Sequence, residues 1–311
     1  MPCSSSRPLV LMAALLLLCG GVRAVVLSRE YSPVDARRSL HYANATYADA
    51  DAVASWNCGS SCVANPSLEV AAVVKSDDAN DDLAYVGVDD RNTQIVVALR
   101  GSRTRQEWFM LWRVEPVLFD PASGCGFDCR VDGGFQKRYL VLRRVIRAAV
   151  VEALKSKPGY HVLVTGHSFG AALALLAAVD LQGHVLRVFF VSKPIVSLYT
   201  FGMPRVGNRA FAEWAAAVLS RGSHYRVTSG RDPVPRMHPG GSADFQHVPC
   251  EVYCANAGPE NCRVCEDSVG SDDPECIAHT SEENRIDHFS YFGERISSVA
   301  GIDVVFFVQP L

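Results

Sequence analysis

His161-Val162-Leu163-Val164-Thr165-Gly166-His167-Ser168-Phe169-Gly170-Ala171-Ala172-Leu173-Ala174 is the stretch that decides the fold. Val162 to Val164 is a short apolar, β-branched run, and Ala171 to Leu181 is rich in Ala and Leu. The segment therefore reads as a buried strand, a sharp turn and a packed helix. The turn itself is Gly-His-Ser-Phe-Gly. A serine at such a turn is held in a strained backbone conformation that lifts its Oγ over the end of the sheet. A Cβ at Gly166 or Gly170 would collide where strand and helix cross. The first N–H groups of the helix lack intrahelical acceptors and point at the serine, so the turn also offers donors to an oxyanion. G-x-S-x-G by itself is a weak signal, equally readable as a glycine-rich turn with a capping serine. The flanking strand and helix make it a nucleophile elbow.

The chain has 311 residues, 49% of them hydrophobic, and a net charge of −3. This suffices for one α/β domain of about 250 to 280 residues, and nothing in the charge balance suggests nucleic acid or a polybasic membrane surface. Residues 1–24 hold Arg7, the apolar run Leu9 to Leu18 and a Val22-Arg23-Ala24 cleavage pattern. They read as a signal peptide too short to span a bilayer, with a retained signal anchor as the alternative. The expected organisation is a signal peptide at 1–24 and a single domain at 25–311, secreted and without a transmembrane segment once the signal is removed.

Secretion makes disulfides the default for the nine cysteines that remain after Cys3 and Cys19. Cys58 with Cys62 and Cys125 with Cys129 suit small local loops. Cys250, Cys254, Cys262, Cys265 and Cys276 cluster further on. Nine is odd, so one thiol is expected to be free, buried or paired with another molecule. Cys262-Arg-Val-Cys265 resembles half a zinc site, but no second C-x-x-C follows. Asn44-Ala45-Thr46 is a glycosylation sequon that requires a surface position.

Along the chain, residues 33–55 read as a helix, Leu68 to Val74 and Leu83 to Val88 as strands, and the acidic run 77–82 as a solvated hairpin tip. Gln94 to Leu99 is an apolar strand that ends in Arg100-Gly101-Ser102. Trp108-Phe109-Met110-Leu111-Trp112 packs five large apolar residues into little more than one helical turn. They cannot all face one core, so residues 103–113 read as a lid, or else as a helix buried on two sides. Tyr139 to Lys155 reads as a helix, Val196 to Phe201 and His224 to Thr228 as strands, Arg209 to Leu219 as a helix, 239–281 as a cysteine-rich loop region, and Ile302 to Val308 as a final strand.

A serine hydroxyl needs a base, and the base an orienting carboxylate. Asp232, between Gly230 and Pro233 just past a strand, fits the acid, although an Asx-turn would look the same. Four histidines follow it. His238 lies too near the acid's own loop, and His279 sits in a polar stretch. His288, leading an aromatic segment, is favoured over His247.

Five motifs in order resemble the class 3 (fungal-type) triacylglycerol lipases over roughly residues 33–295: Leu99-Arg100-Gly101-Ser102 with Trp108, Gly166 to Ala174, Phe201 to Asn208, Asp232-Pro233-Val234-Pro235, and Asp287 to Gly293. The resemblance implies an α/β-hydrolase fold, with a mostly parallel central sheet flanked by helices and a helical lid. It implies Ser168 as nucleophile, Asp232 as acid, His288 as base, and Ser102 with the N–H of Phe169 as oxyanion hole. Trp108, Phe109, Leu111 and Trp112 become the lid's apolar residues, and Cys58–Cys62 and Cys265–Cys276 the family-like disulfides. His247 falls on a family histidine that is not the base. No metal or cofactor is implied, and the partner is lipid at a lipid–water interface. The chain departs from the family at Phe169 and Ala171, where Leu and Gly are usual, and at Asp132, where His is usual. Phospholipase A1, a short-chain esterase, and a non-catalytic secreted lipid-binding protein are the competing readings.

Overall fold

The computed structural model describes residues 30–76, 81–103, 115–189, 194–237, 244–255, 258–280 and 282–296. The expected signal peptide, the lid residues Trp108, Phe109, Leu111 and Trp112, His238 and the C-terminal strand lie outside them.

The central sheet has eight strands. In chain order these are β1 (Leu68–Lys75), β2 (Leu83–Asp89), β3 (Gln94–Leu99), β6 (His161–His167), β7 (Val196–Phe201), β9 (His224–Ser229), β11 (Glu251–Cys254) and β12 (Arg263–Val264), and they lie side by side in that order. From β3 to β11 they run parallel, while β1, β2 and β12 pair antiparallel at the two edges. A smaller sheet joins β4 (Pro116–Leu118), β5 (Arg130–Asp132), β8 (Gly207–Asn208) and β10 (Phe245–Gln246). A hairpin of β13 (Ser290–Tyr291) and β14 (Glu294–Arg295) closes the described chain.

Strands buried on both faces need two cores, and both are present. Ile95, Val97, Leu99, Val162 and Val164 join one apolar cluster with α4 (Gly133–Ser156), α5 (Phe169–Val188) and α6 (Arg209–Leu219). Val96, Ala98 and Leu163 join the other, with α1 (Pro33–Ala45) and the aromatic residues Tyr291 and Phe292. Neighbouring residues of β3 and β6 thus feed opposite cores, as the period of two requires.

The helix expected over 33–55 is broken. α1 starts with Ser32 capping Asp35 N (3.2 Å) and Pro33 at the first position, but it ends at Ala45. Thr46 then turns its hydroxyl onto Ala43 O (2.6 Å), a local bond that competes with the helix ladder. A short helix, α2 (Ala50–Ala54), resumes after Asp49, and α3 (Ser60–Ala64) follows. The break frees Tyr47 from the helical register.

Region 239–281 is not all loop. Its Glu251–Cys254 pairs parallel with Arg226–Ser229 and brings β12 with it. Disulfides Cys254–Cys262 and Cys265–Cys276 staple this extension, and Cys58–Cys62 and Cys125–Cys129 close the local loops. These four bonds account for eight of the nine cysteines of the described residues, and the ninth, Cys250, is buried and disulfide-bonded as well. Cys262 and Cys265 each bond a different partner, which removes the thiolates a zinc half-site would need.

Two further expectations change. Asn44 is only 8% exposed and its amide donates to Arg295 O (3.4 Å), so the sequon lacks the surface position that glycosylation requires. At the acidic hairpin tip, Asp82 is buried and bonds Arg138 Nε (2.5 Å), while Asp81 bonds Arg100 (2.8 Å) and Lys75 (3.0 Å).

α4 starts at Gly133, six residues before the expected Tyr139, because Asp132 caps it. Its Oδ1 accepts from Gly134 N (2.8 Å) and Phe135 N (3.0 Å). Its Oδ2 has no partner among the described residues. Burial pushes this carboxyl up to about 6, against the pull of the two N–H groups. The folded chain therefore holds the proton more tightly than the unfolded one between about pH 4 and 6, and loses stability as pH rises through that window. Asp132→Asn keeps the capping oxygen and removes the titration. Its melting temperature should gain less than the wild type's, by a few degrees, on going from pH 7 to 4.5. Parallel melting curves for the two proteins would show that Asp132 does not titrate in this range.

Candidate active site

The elbow follows from backbone sterics. Ser168 sits at φ 60°, ψ −128°, a conformation costly for a residue with a side chain, between the end of β6 and the start of α5. The strain is held by Ser168 N donating to Phe201 O (2.8 Å) and Ala171 N to Ser168 O (2.9 Å). Both glycines of the motif are needed for close approach. A Cβ on Gly166 would strike the main chain of Gly170, and one on Gly170 would strike the carbonyl of Leu99 at the end of β3. That second contact draws the Arg100-Gly101-Ser102 turn against the elbow. Gly101 packs so tightly that its Cβ would lie 2.6 Å from His167 O.

Three residues far apart in the chain meet above these strand ends. Ser168 Oγ donates to His288 Nε2 at 2.8 Å. His288 Nδ1–H donates to Asp232 Oδ2, also at 2.8 Å. Asp232 Oδ1 accepts from Val234 N (2.8 Å), and Oδ2 takes a second donor, the Tyr291 hydroxyl (2.6 Å). The three are 2%, 1% and 0% exposed, so the relay is dry, where electrostatic interactions are strong. Burial alone would raise the Asp232 carboxyl. The charge and hydrogen bond of His288, with the bonds from Tyr291 and Val234, outweigh it and hold the group below its usual value, hence ionised.

Asp232 lies just past β9, as expected, and the segment bearing His288 is laced to that same loop. Arg231 N donates to Asp287 Oδ2 (2.8 Å), Ser229 Oγ to Ser290 O (2.8 Å) and Asn284 N to Arg231 O (2.9 Å). The ring of His247 binds Pro235 O at 2.6 Å and so buttresses the acid's loop. The side chain of His279 lies outside the described residues.

The oxyanion candidates flank Ser168. Ser102 is 7% exposed and its Oγ has no hydrogen-bond partner among the described residues, an unmet donor beside the elbow. Phe169 opens α5, where main-chain N–H groups are unpaired and the helix dipole is positive. Its ring is buried in the core, edge-on to Phe135 (5.1 Å) and under the Arg138 guanidinium (4.3 Å).

Chain comparisons agree with this geometry. The family model for Lipase (class 3) matches residues 96–241. A lipase of Rhizomucor miehei is 34% identical over 277 residues, covering 88% of this chain and 71% of that protein. The chain belongs to the class 3 lipase family. A secreted mono- and diacylglycerol lipase A of Penicillium cyclopium is 31% identical over 237 residues, covering 74% of this chain and 72% of that one. Among solved structures, a triacylglycerol lipase described as having a serine protease triad for its catalytic centre superposes with a TM-score of 0.73 at 28% identity, covering 86% of this chain and 96% of that one. This lipase is accordingly a carboxylic ester hydrolase on the α/β-hydrolase fold. No described helix is long and apolar enough to cross a membrane.

Sequence reasoning assigned no role to Gly202, Tyr291, His167 or Tyr47, which the structure places at the site. The only linear hint was that Tyr291 follows His288 by three residues. Gly202, the residue after β7, sits at φ 59°, and a Cβ there would come within 2.5 Å of Tyr291 Oη, 2.9 Å of Asp232 Oδ2 and 3.0 Å of His288 Cε1. Gly202→Ala should therefore displace the acid–base pair and lower kcat about a hundredfold or more, as misplacements of about 1 Å do. Its circular dichroism should stay native. An Ala variant with wild-type turnover would mean that the pair tolerates the methyl.

Proposed function

We propose that this chain is a secreted lipase that cleaves the ester bonds of acylglycerols at a lipid–water interface through an acyl-enzyme on Ser168. The observation that carries the reading is the unbroken relay Ser168–His288–Asp232, two hydrogen bonds of 2.8 Å at a strained elbow. His288 takes the Ser168 proton as Oγ attacks the ester carbonyl, and Asp232 stabilises the imidazolium that results. The oxyanion is received by the Ser102 hydroxyl and N–H and by the Phe169 N–H. His288 returns the proton to the departing alcohol, and water, activated by the same base, then releases the fatty acid. Loss of the Ser102 hydroxyl in Ser102→Ala should cost about 10²- to 10³-fold in kcat with little change in KM.

The substrate class rests on the names of the relatives and on the apolar run Trp108, Phe109, Leu111 and Trp112, read from the sequence as a lid. Secretion rests on the leader-like first 24 residues and on the four described disulfides, at home in an oxidising compartment. The test is hydrolysis of an emulsified long-chain triacylglycerol beside a phosphatidylcholine emulsion and a short soluble ester, with Ser168→Ala as control. Preference for the triacylglycerol is expected, with specific activity rising as the emulsion forms. Activity confined to the phospholipid or to the soluble ester would move the substrate class and leave the triad standing.

A further inference from the structure

His167, the residue before the nucleophile, is 1% exposed and makes two hydrogen bonds. Its Nε2 lies 2.8 Å from the main-chain O of His288, and its Nδ1 lies 2.7 Å from the hydroxyl of Tyr47. A carbonyl oxygen only accepts, so Nε2 must carry hydrogen. The neutral ring then presents a bare Nδ1, and the Tyr47 hydroxyl is the donor to it. Burial, and after it the neighbouring His288, pushes His167 down to about 3, so it stays neutral wherever the enzyme works. The groups facing the ring are Tyr47, His288, Tyr291 and, electrostatically, Asp232. Its ring centroid is 4.6 Å from that of His288. A cation at His167 would stand beside the imidazolium that forms on His288 at each turnover and oppose it.

Tyr47 touches a third part of the site. Its hydroxyl fills the space where a Cβ of Gly101 would go, one residue before Ser102. It reaches there because the chain leaves α1 at Thr46, so the break in that helix and the Tyr47 contact belong together.

We infer that Tyr47 and His167 form a neutral, tautomer-locked clamp that positions the catalytic base, tying the main chain of His288 to the elbow and to the oxyanion turn. Both are positioning residues, since each acts through another group. The inference rests on the reading of His288 as base. His288 is held from both ends, its Nδ1–H by Asp232 and its carbonyl by His167. Releasing the carbonyl lets the ring drift from Asp232, which weakens the imidazolium and with it the proton transfer.

Steady-state kinetics on a soluble ester test this with Tyr47→Phe, His167→Leu and His167→Gln beside Ser168→Ala. Tyr47→Phe and His167→Leu should lower kcat about ten- to a hundredfold with KM unchanged. The acid limb of kcat/KM should move to lower pH, because that limb reports the base. His167→Gln, whose amide can donate from near the Nε2 position, should recover most of the lost kcat. Wild-type kcat and acid limb in Tyr47→Phe and His167→Leu, with Ser168→Ala inactive, would overturn the clamp and leave the serine mechanism intact. An active Ser168→Ala would overturn the mechanism beneath it. A measurement on the wild type guards against variants that do not fold: the imidazole ¹⁵N spectrum, assigned by comparison with His167→Gln, should show His167 as the Nε2–H tautomer from pH 5 to 8. An Nδ1–H tautomer, or protonation of His167 within that range, would overturn the clamp regardless of the kinetics.

Discussion

Ser168→Ala should lower turnover about 10⁵- to 10⁶-fold, the largest loss expected of any single substitution here. Alanine keeps the Cβ, so it neither relieves nor adds to the strain at φ 60°, and the bonds from Ser168 N to Phe201 O and from Ala171 N to Ser168 O are untouched. Only Oγ and its proton are lost. His288 Nε2 then faces no nucleophile, while the oxyanion donors remain and supply what little rate survives. Melting temperature should match the wild type, and labelling by a fluorophosphonate should disappear. Retention of more than about one hundredth of the activity would place the nucleophile elsewhere.

Asp232→Asn should cost about 10⁴-fold in kcat at nearly unchanged KM. The carboxylate receives two donors on a single oxygen, His288 Nδ1–H and the Tyr291 hydroxyl, and it is fully buried. If the amide NH₂ takes that position, it meets two donors. His288 must then present a bare Nδ1 and carry its hydrogen on Nε2, aimed at Ser168, where it can no longer accept a proton. If the amide oxygen takes the position, the geometry survives but the negative charge that stabilises the imidazolium does not. Fluorophosphonate labelling should slow in the same proportion as kcat, because both report serine activation. Activity within about tenfold of wild type would mean that the orienting acid is another residue.

Legibility in the sequence followed the range of the interactions. The elbow was legible because each of its causes lies within fourteen residues: a β-branched strand, two glycines at a crossing and an Ala/Leu helix. The strands Leu68–Lys75, Gln94–Leu99, Val196–Phe201 and His224–Ser229 and the helix Arg209–Leu219 were equally plain, each being an apolar run long enough to announce itself. Glu251–Cys254 was missed. It is short and flanked by polar chain, and what makes it a strand is parallel pairing with Arg226–Ser229 and two disulfides, none of which its own composition signals. Helix α1 was drawn too long because Thr46 differs little from its neighbours in propensity, whereas the bond from its hydroxyl to Ala43 O marks the break.

The sequence by itself determined the strand–turn–helix at Ser168 and the α/β layering, and, with the family resemblance, it pointed to Ser168, Asp232, His288 and Ser102 as the residues to look for at the site. The tertiary structure alone decided that His288, and not His247, stands between Ser168 and Asp232. The two are forty-one residues apart and similar in kind, but the ring of His288 meets Asp232 Oδ2 and Ser168 Oγ, whereas that of His247 meets the main-chain oxygen of Pro235. It alone also revealed Gly202, Tyr291, His167 and Tyr47 as parts of the site. The physical reason is common to all of them: a hydrogen bond between residues 120 positions apart, such as those of His167 with Tyr47 and of Ser168 with His288, leaves no period, run or spacing in the chain. It exists once the sheet has brought the strand ends together.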